Sequence, residues 1–269
     1  MAAPPRASRP SPIATTVRWV PDATTPLFLV AAGIVAGVVG TAGGITSLVA
    51  YPALLAVGIP PLAANVTNSV ALIGSGLSSA LRAGPDVIGH GRTIRAWLPA
   101  SVALSLAGAA LLVVTPGEVF DRIVPFLVAA GSLVLLLQPA ITRWQTARGH
   151  ALSRPVVGAA GAGVAVYNGY FGAGSGILLI ALLLLTTEPV LHRANALKNV
   201  ILVAADILPA LLFAVLGAVV WHAAIALGIG AVIGGLIGPS VARRVPAGVL
   251  RVLIACCGFG LAVYLFVTA

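Results

Sequence analysis

Charge is what this sequence has least of. Only 8% of its 269 residues are Asp, Glu, Lys or Arg, and only six are acidic. Soluble domains carry about 25% charged residues, so this composition does not build a surface for water. Six scattered acids and four histidines supply no paired carboxylates and no His–carboxylate set. Neither a nucleophile elbow nor a Walker-type phosphate loop is present. These absences argue against an enzyme, and no cofactor motif appears. The two cysteines, Cys256 and Cys257, are adjacent. Neighbours on a helix point in different directions, so neither a disulfide framework nor a metal site is indicated. The net charge is +9, yet no run of five basic residues and no recognition motif exists. Basic loops on one side of a membrane explain that charge better than a nucleic-acid partner.

What is there is oil and glycine. The chain is 59% hydrophobic, with a mean hydropathy of +1.10 and 31 glycines. This predicts an all-α integral membrane protein, multi-pass, with lipid as its surroundings and the cell (plasma, inner) membrane as its location. Residues 1–26, rich in Pro, Ser, Thr and Arg, read as a disordered tail. Apolar stretches then run Leu27–Val57, Ala64–Leu81, Ile94–Val114, Ile123–Leu137, Val156–Leu185, Ala194–Leu216, Trp221–Pro239 and Val249–Val267. The first and fifth are the longest, and glycine interrupts both: "GVVGTAGGITS" (37–47) and "GYFGAGSGILL" (169–179). A continuous helix of about 30 residues would measure about 45 Å, against a hydrocarbon core of about 30 Å. A break at the glycines follows, with Gly37, Gly40, Gly169 and Gly172 as the expected structural breakpoints.

The two interruptions belong to a repeat. Gly37, Gly40 and Gly44 align with Gly169, Gly172 and Gly176, and "PPLAANVTNSVALIGSG" aligns with "VLHRANALKNVILVAAD". Asn65 then pairs with Asn195, Asn68 with Lys198, Ser69 with Asn199, and Gly76 with Asp206. The expected organisation is repeat 1 over 27–137, a cytoplasmic linker over 138–155, and repeat 2 over 156–267. Loop charge sets their relative orientation. Arg82, Arg92 and Arg95 crowd a loop whose counterpart around 217–221 is uncharged. "GEVFDR" (117–122) holds one Arg and two acids, whereas its counterpart "ARRVPAGVLR" (242–251) holds three Arg. The basic loops swap between units, as two inverted repeats require. Each repeat would comprise a broken segment, re-entrant or discontinuous, and about three transmembrane helices.

Inverted repeats with broken helices characterise secondary transporters, and their substrate sites lie between the repeats. Half-helix N-termini there carry partial positive charge and suit a small anion. The candidate substrate-binding residues are Lys198, Asn195, Asn199, Asn65, Asn68 and Ser69, with Gly43, Gly44, Thr46, Gly174, Ser175 and Gly176 at the breaks. At about 100° per residue, Asn195, Asn199 and Asp206 share one helix face, with Lys198 beside it. A lysine at depth is costly unless paired, which favours substrate contact; snorkelling to the interface is the alternative. Asp206, an intramembrane carboxylate, is the candidate for proton coupling, with a structural hydrogen bond as the alternative. The asparagines serve equally well as helix caps.

The glycine breaks, "LHRANALKNV", the short G-x-V-x-W turn that follows and "ARRVPAGVLR" together resemble the sulfite exporter TauE/SafE family of membrane permeases. The resemblance covers about residues 27–267. It implies movement of a small sulfur-containing anion such as sulfite, thiosulfate or an organosulfonate. A passive anion channel and a non-transporting scaffold stay open as other classes.

Overall fold

The structure, a computed structural model, describes residues 24–43, 45–148, 153–216, 219–242 and 247–268. The described residues form helices and no strand. The chain is an all-α membrane protein. In order come α1 (Thr25–Gly43), α2 (Ser47–Ala56), α3 (Pro61–Ala71), α4 (Ile73–Arg82) and the short α5 (Gly84–Val87). They are followed by α6 (Gly91–Val114), α7 (Gly117–Arg148), α8 (Arg154–Tyr170) and α9 (Ser175–Thr186). The last three are α10 (Leu191–Leu216), α11 (Trp221–Ala242) and α12 (Ala247–Thr268). Among the described residues, Gly91–Val114, Gly117–Leu137 and Leu191–Leu216 are each long and apolar enough to cross a membrane. The outer faces stay apolar: Phe126, Leu211, Val215 and Val263 are all exposed. That arrangement is stable only against lipid.

Both long apolar stretches are broken, but not where the first glycines stand. Gly37 and Gly40 lie inside α1, and Gly169 lies inside α8. The first helix ends at Gly43, and α2 starts after Thr46; Gly44 lies outside the described residues. The second break comes after Tyr170. There Gly172 and Gly174 take φ of +78° and +84°, a left-handed backbone that a residue with a Cβ adopts only at a cost. Of the four expected breakpoints, then, only Gly172 turns the chain. Another interruption falls at Leu72, between α3 and α4, where the aligned α10 runs on unbroken. Residues 138–148, expected as linker, continue α7 as helix. The expected tail lies outside the described residues up to 23, and α1 begins at Thr25.

Gly37 and Gly169 hold helices together instead. α1 packs along α11, and α8 packs along α6. A Cβ on Gly33 or Gly37 would collide with the carbonyls of Leu227 and Ala231. One on Gly230 or Gly234 would collide with those of Val30 and Ile34. Glycines at i and i+4 on both helices therefore let the backbones touch, the small-xxx-small solution used where lipid removes any hydrophobic drive between helices. The α6–α8 contact repeats the device. Gly108 abuts the Val166 carbonyl, and Gly169 abuts the Ser105 carbonyl. In each case a helix from the first half of the chain packs on one from the second.

Gly234→Ala is expected to destabilise the protein by about 1–3 kcal/mol, because overpacking forces the backbones apart. Gly260→Ala, with open space around it, is the control and is expected to leave stability unchanged. Thermal unfolding in detergent compares the two, and equal behaviour would contradict the close-contact account.

Candidate functional site

Breaking a helix inside a membrane exposes backbone groups that no water can satisfy. At the second break, side chains take them up. Asn65 Nδ2, on α3, donates to the Tyr170 carbonyl at 2.9 Å, and Tyr167 Oη donates to the Ala173 carbonyl at 2.6 Å. Phe171 packs edge-on against Tyr51 of α2, with ring centroids 5.3 Å apart. Asn65 thus ties the first half of the chain to the break in the second.

Asn168, in the last turn of α8, is the hub of the site. Its Nδ2 donates to Asp206 Oδ1 at 2.6 Å and reaches Ser105 Oγ at 3.3 Å. Its Oδ1 accepts from Ser175 Oγ, the first residue of α9, at 2.6 Å. One side chain therefore joins α8, the start of α9, α6 and the Asp206 carboxylate on α10. In the first half a residue of another helix reaches the start of α2: Asn68 Nδ2, on α3, lies 3.2 Å from Ser47 Oγ.

A cavity of about 120 Å³ lies between these elements, room for a few waters at about 30 Å³ each or for one small anion. Its wall gathers aligned positions from both halves: Gly40 with Gly172, Asn68 with Lys198, Ser69 with Asn199, and Gly76 with Asp206. Thr46 and Ser47 at the start of α2, and Ser175 and Gly176 at the start of α9, also line it. Two helix N-termini therefore open on the cavity, each presenting the partial positive end of its helix dipole.

Lys198 is 3% exposed. Among the described residues it has no hydrogen-bond or ion-pair partner. Asp206 lines the same cavity without pairing with it. A buried ammonium without a partner is expensive, and this one sits in the wall of a polar cavity.

The remaining sequence candidates fall elsewhere. Asn65 caps the break and is absent from the cavity wall. Asn195 lines a neighbouring cavity. Gly174 precedes α9 as its N-cap, in a left-handed conformation against the Gly131 backbone. Gly43 ends α1, and Gly44 lies outside the described residues. Glu188 is in a loop, as its position between apolar stretches suggests, but it is buried and held by His90 Nε2 at 2.6 Å. Asn168, which precedes the second break, Ser79, on the polar stripe of the first repeat, and Ser75 also line the cavity. The signal for Asn168 was its place four residues before Gly172 in an apolar helix, where an amide has no cheap explanation.

A family model described as Sulfite exporter TauE/SafE matches residues 27–265. The chain belongs to that family. Among similar proteins, a probable membrane transporter protein ORF9 of Sinorhizobium sp is 29% identical over 249 residues, covering 88% of this chain and 91% of that protein. The probable membrane transporter protein YfcA of Escherichia coli strain K12 is 26% identical over 212 residues, 79% of this chain and 78% of that one. No solved structure matches the chain.

Tyr167→Phe removes the donor to the Ala173 carbonyl and is expected to cost about 1–3 kcal/mol, the penalty for a buried acceptor left unpaired. Denaturation in detergent measures it. An unchanged midpoint would mean that the break does not depend on that bond.

Proposed function

We propose that this protein is a secondary transporter of a small anion, a permease of the plasma (inner) membrane that works by alternating access between two inverted repeats. The observation that carries the reading is Lys198: a buried cation, unpartnered among the described residues, in a cavity that two helix N-termini also face. A bound anion is the partner that this arrangement lacks. The exchange of packing between halves, α1 on α11 and α8 on α6, supports two related units that move against each other around the site. Family membership supports a sulfur-containing substrate: sulfite, thiosulfate or an organosulfonate. Their compact oxyanion heads match a 120 Å³ cavity.

Asp206 is the proposed proton carrier. Asn168 holds one of its oxygens, and the residue faces the same cavity as Lys198. An incoming anion neutralises the field of Lys198 and leaves the carboxylate charge uncompensated, so a proton arriving with the anion restores neutrality. Coupling then follows from Coulomb's law in a low-dielectric site.

Uptake of labelled sulfite into proteoliposomes, with thiosulfate, sulfonates and sulfate as competitors, tests the reading. Saturable uptake is expected in the wild type and its loss, by tenfold or more, in Lys198→Ala. Folded protein that moves none of these anions would refute the sulfur-anion assignment. Uptake that does not saturate would instead indicate a channel. Asp206→Asn is expected to abolish the response to a pH gradient while leaving anion exchange. Gradient-driven uptake that survives the change would remove Asp206 from the coupling.

A further inference from the structure

A second cavity lies beside the first. Its volume is about 240 Å³, and its walls carry Ser79, Arg82 and Asp86 on one side and His192, Asn195 and Asn199 on the other. The first wall is α4 and α5, the second the start of α10, so the cavity stands between the two halves of the chain. Ser79 and Asn199 line both cavities. The two chambers therefore meet at that pair, which forms a polar neck.

The outer chamber opens to the surface, since Arg82, Asp86 and His192 are all exposed. Its wall carries one fixed charge of each sign, Arg82 and Asp86, beside the N-terminus of α10. Arg82 has no ion-pair partner among the described residues. His192 stands in the first turn of a 26-residue helix, where free N–H groups add positive potential. Of the two nearby acids, Glu188 is already engaged: it pairs with His90 and accepts from the Val190 N–H at 3.1 Å. Asp86 balances Arg82 in the wall, so the positive end of the α10 dipole sets the sign of the remaining field. The contact between His90 and Glu188 also straps the segment after α5 to the segment before α10, next to the two walls of the chamber.

We propose that this chamber is the access path and outer waiting site for the anion: Arg82 and the α10 N-terminus gather it, and the neck of Ser79 and Asn199 passes it to Lys198. The inference builds on the transport reading of the inner cavity, yet its geometry can be tested without transport.

The test uses the full chain in lipid nanodiscs, with Cys256→Ser and Cys257→Ser and a reporter Ser69→Cys in the inner cavity. Rates of modification by an anionic methanethiosulfonate (the ethylsulfonate) and a cationic one (the ethyltrimethylammonium) are compared. Filling the neck with Ser79→Phe, or from the other wall with Asn199→Phe, is expected to slow both reagents at least tenfold. Arg82→Gln is expected to slow the anionic reagent several-fold and leave the cationic one as fast or faster. His192→Cys at the mouth reports folding and should react equally with the neck open or filled. An inner cysteine that reacts equally fast behind either filled neck, or that reacts with neither reagent when the neck is open, overturns the path. Equal effects of Arg82→Gln on both reagents overturn the waiting site. Sulfite uptake in parallel keeps the two readings apart. Absent uptake with this access pattern intact sinks the substrate assignment and leaves the path standing; saturable uptake with an unblocked inner cysteine does the reverse.

Discussion

A backbone that unwinds at membrane depth has to find its partners inside the protein, and the rest of this site depends on how that demand is met. The second break requires Gly172 and Gly174 for its left-handed turn. It also requires Asn65 and Tyr167 for its carbonyls. Those requirements bring α3 of the first half against the end of α8 in the second. Once the break is held there, the start of α9 has a fixed aim, and with it the partial charge of its N–H groups. The cavity is the space that remains when both half-helices are aimed at it.

Close approach of helices meets a second constraint. Lipid tails are as apolar as leucine, so association rests on contact and hydrogen bonding. Glycines on α1 and α11, and again on α6 and α8, let whole backbones touch. The same residue type thus does two different jobs in one motif. In "GYFGAGSG", Gly169 makes a helix contact, whereas Gly172 and Gly174 make the turn. The reading of Gly37, Gly40 and Gly169 as breaks failed for this reason, while Gly172 does turn the chain. A glycine run announces both freedom and smallness, and its sequence does not say which of the two a given position uses.

Lys198 and Asp206 share a cavity wall without touching, and their separation is itself informative. A direct pair would satisfy both charges and leave nothing for a ligand to do. Asn168 holds the carboxylate from another helix, which keeps it in place while Lys198 stays free. An amide suits this hub because it donates to Asp206 and accepts from Ser175 at once. No pattern along the chain connects residues 105, 168, 175 and 206, since four separate segments supply them.

The sequence by itself determined the class. Too little charge and too much oil leave lipid as the only solvent for the outer surface. Two glycine-interrupted stretches at matched positions imply two related units with broken helices. It also nominated Lys198, Asn199, Asn68, Ser69 and Asp206, because polar groups in an apolar helix need a reason to be there. Tertiary structure alone decided which of these meet. It sent Asn65 to cap a carbonyl and Asn195 to an outer chamber, brought Asn168 into the centre, and joined Glu188 to a histidine 98 positions away. The physical reason is range. Composition and periodicity report what each segment needs, solvent or partner. Which partner answers depends on contacts between segments far apart in the chain, and those are fixed only when the helices pack.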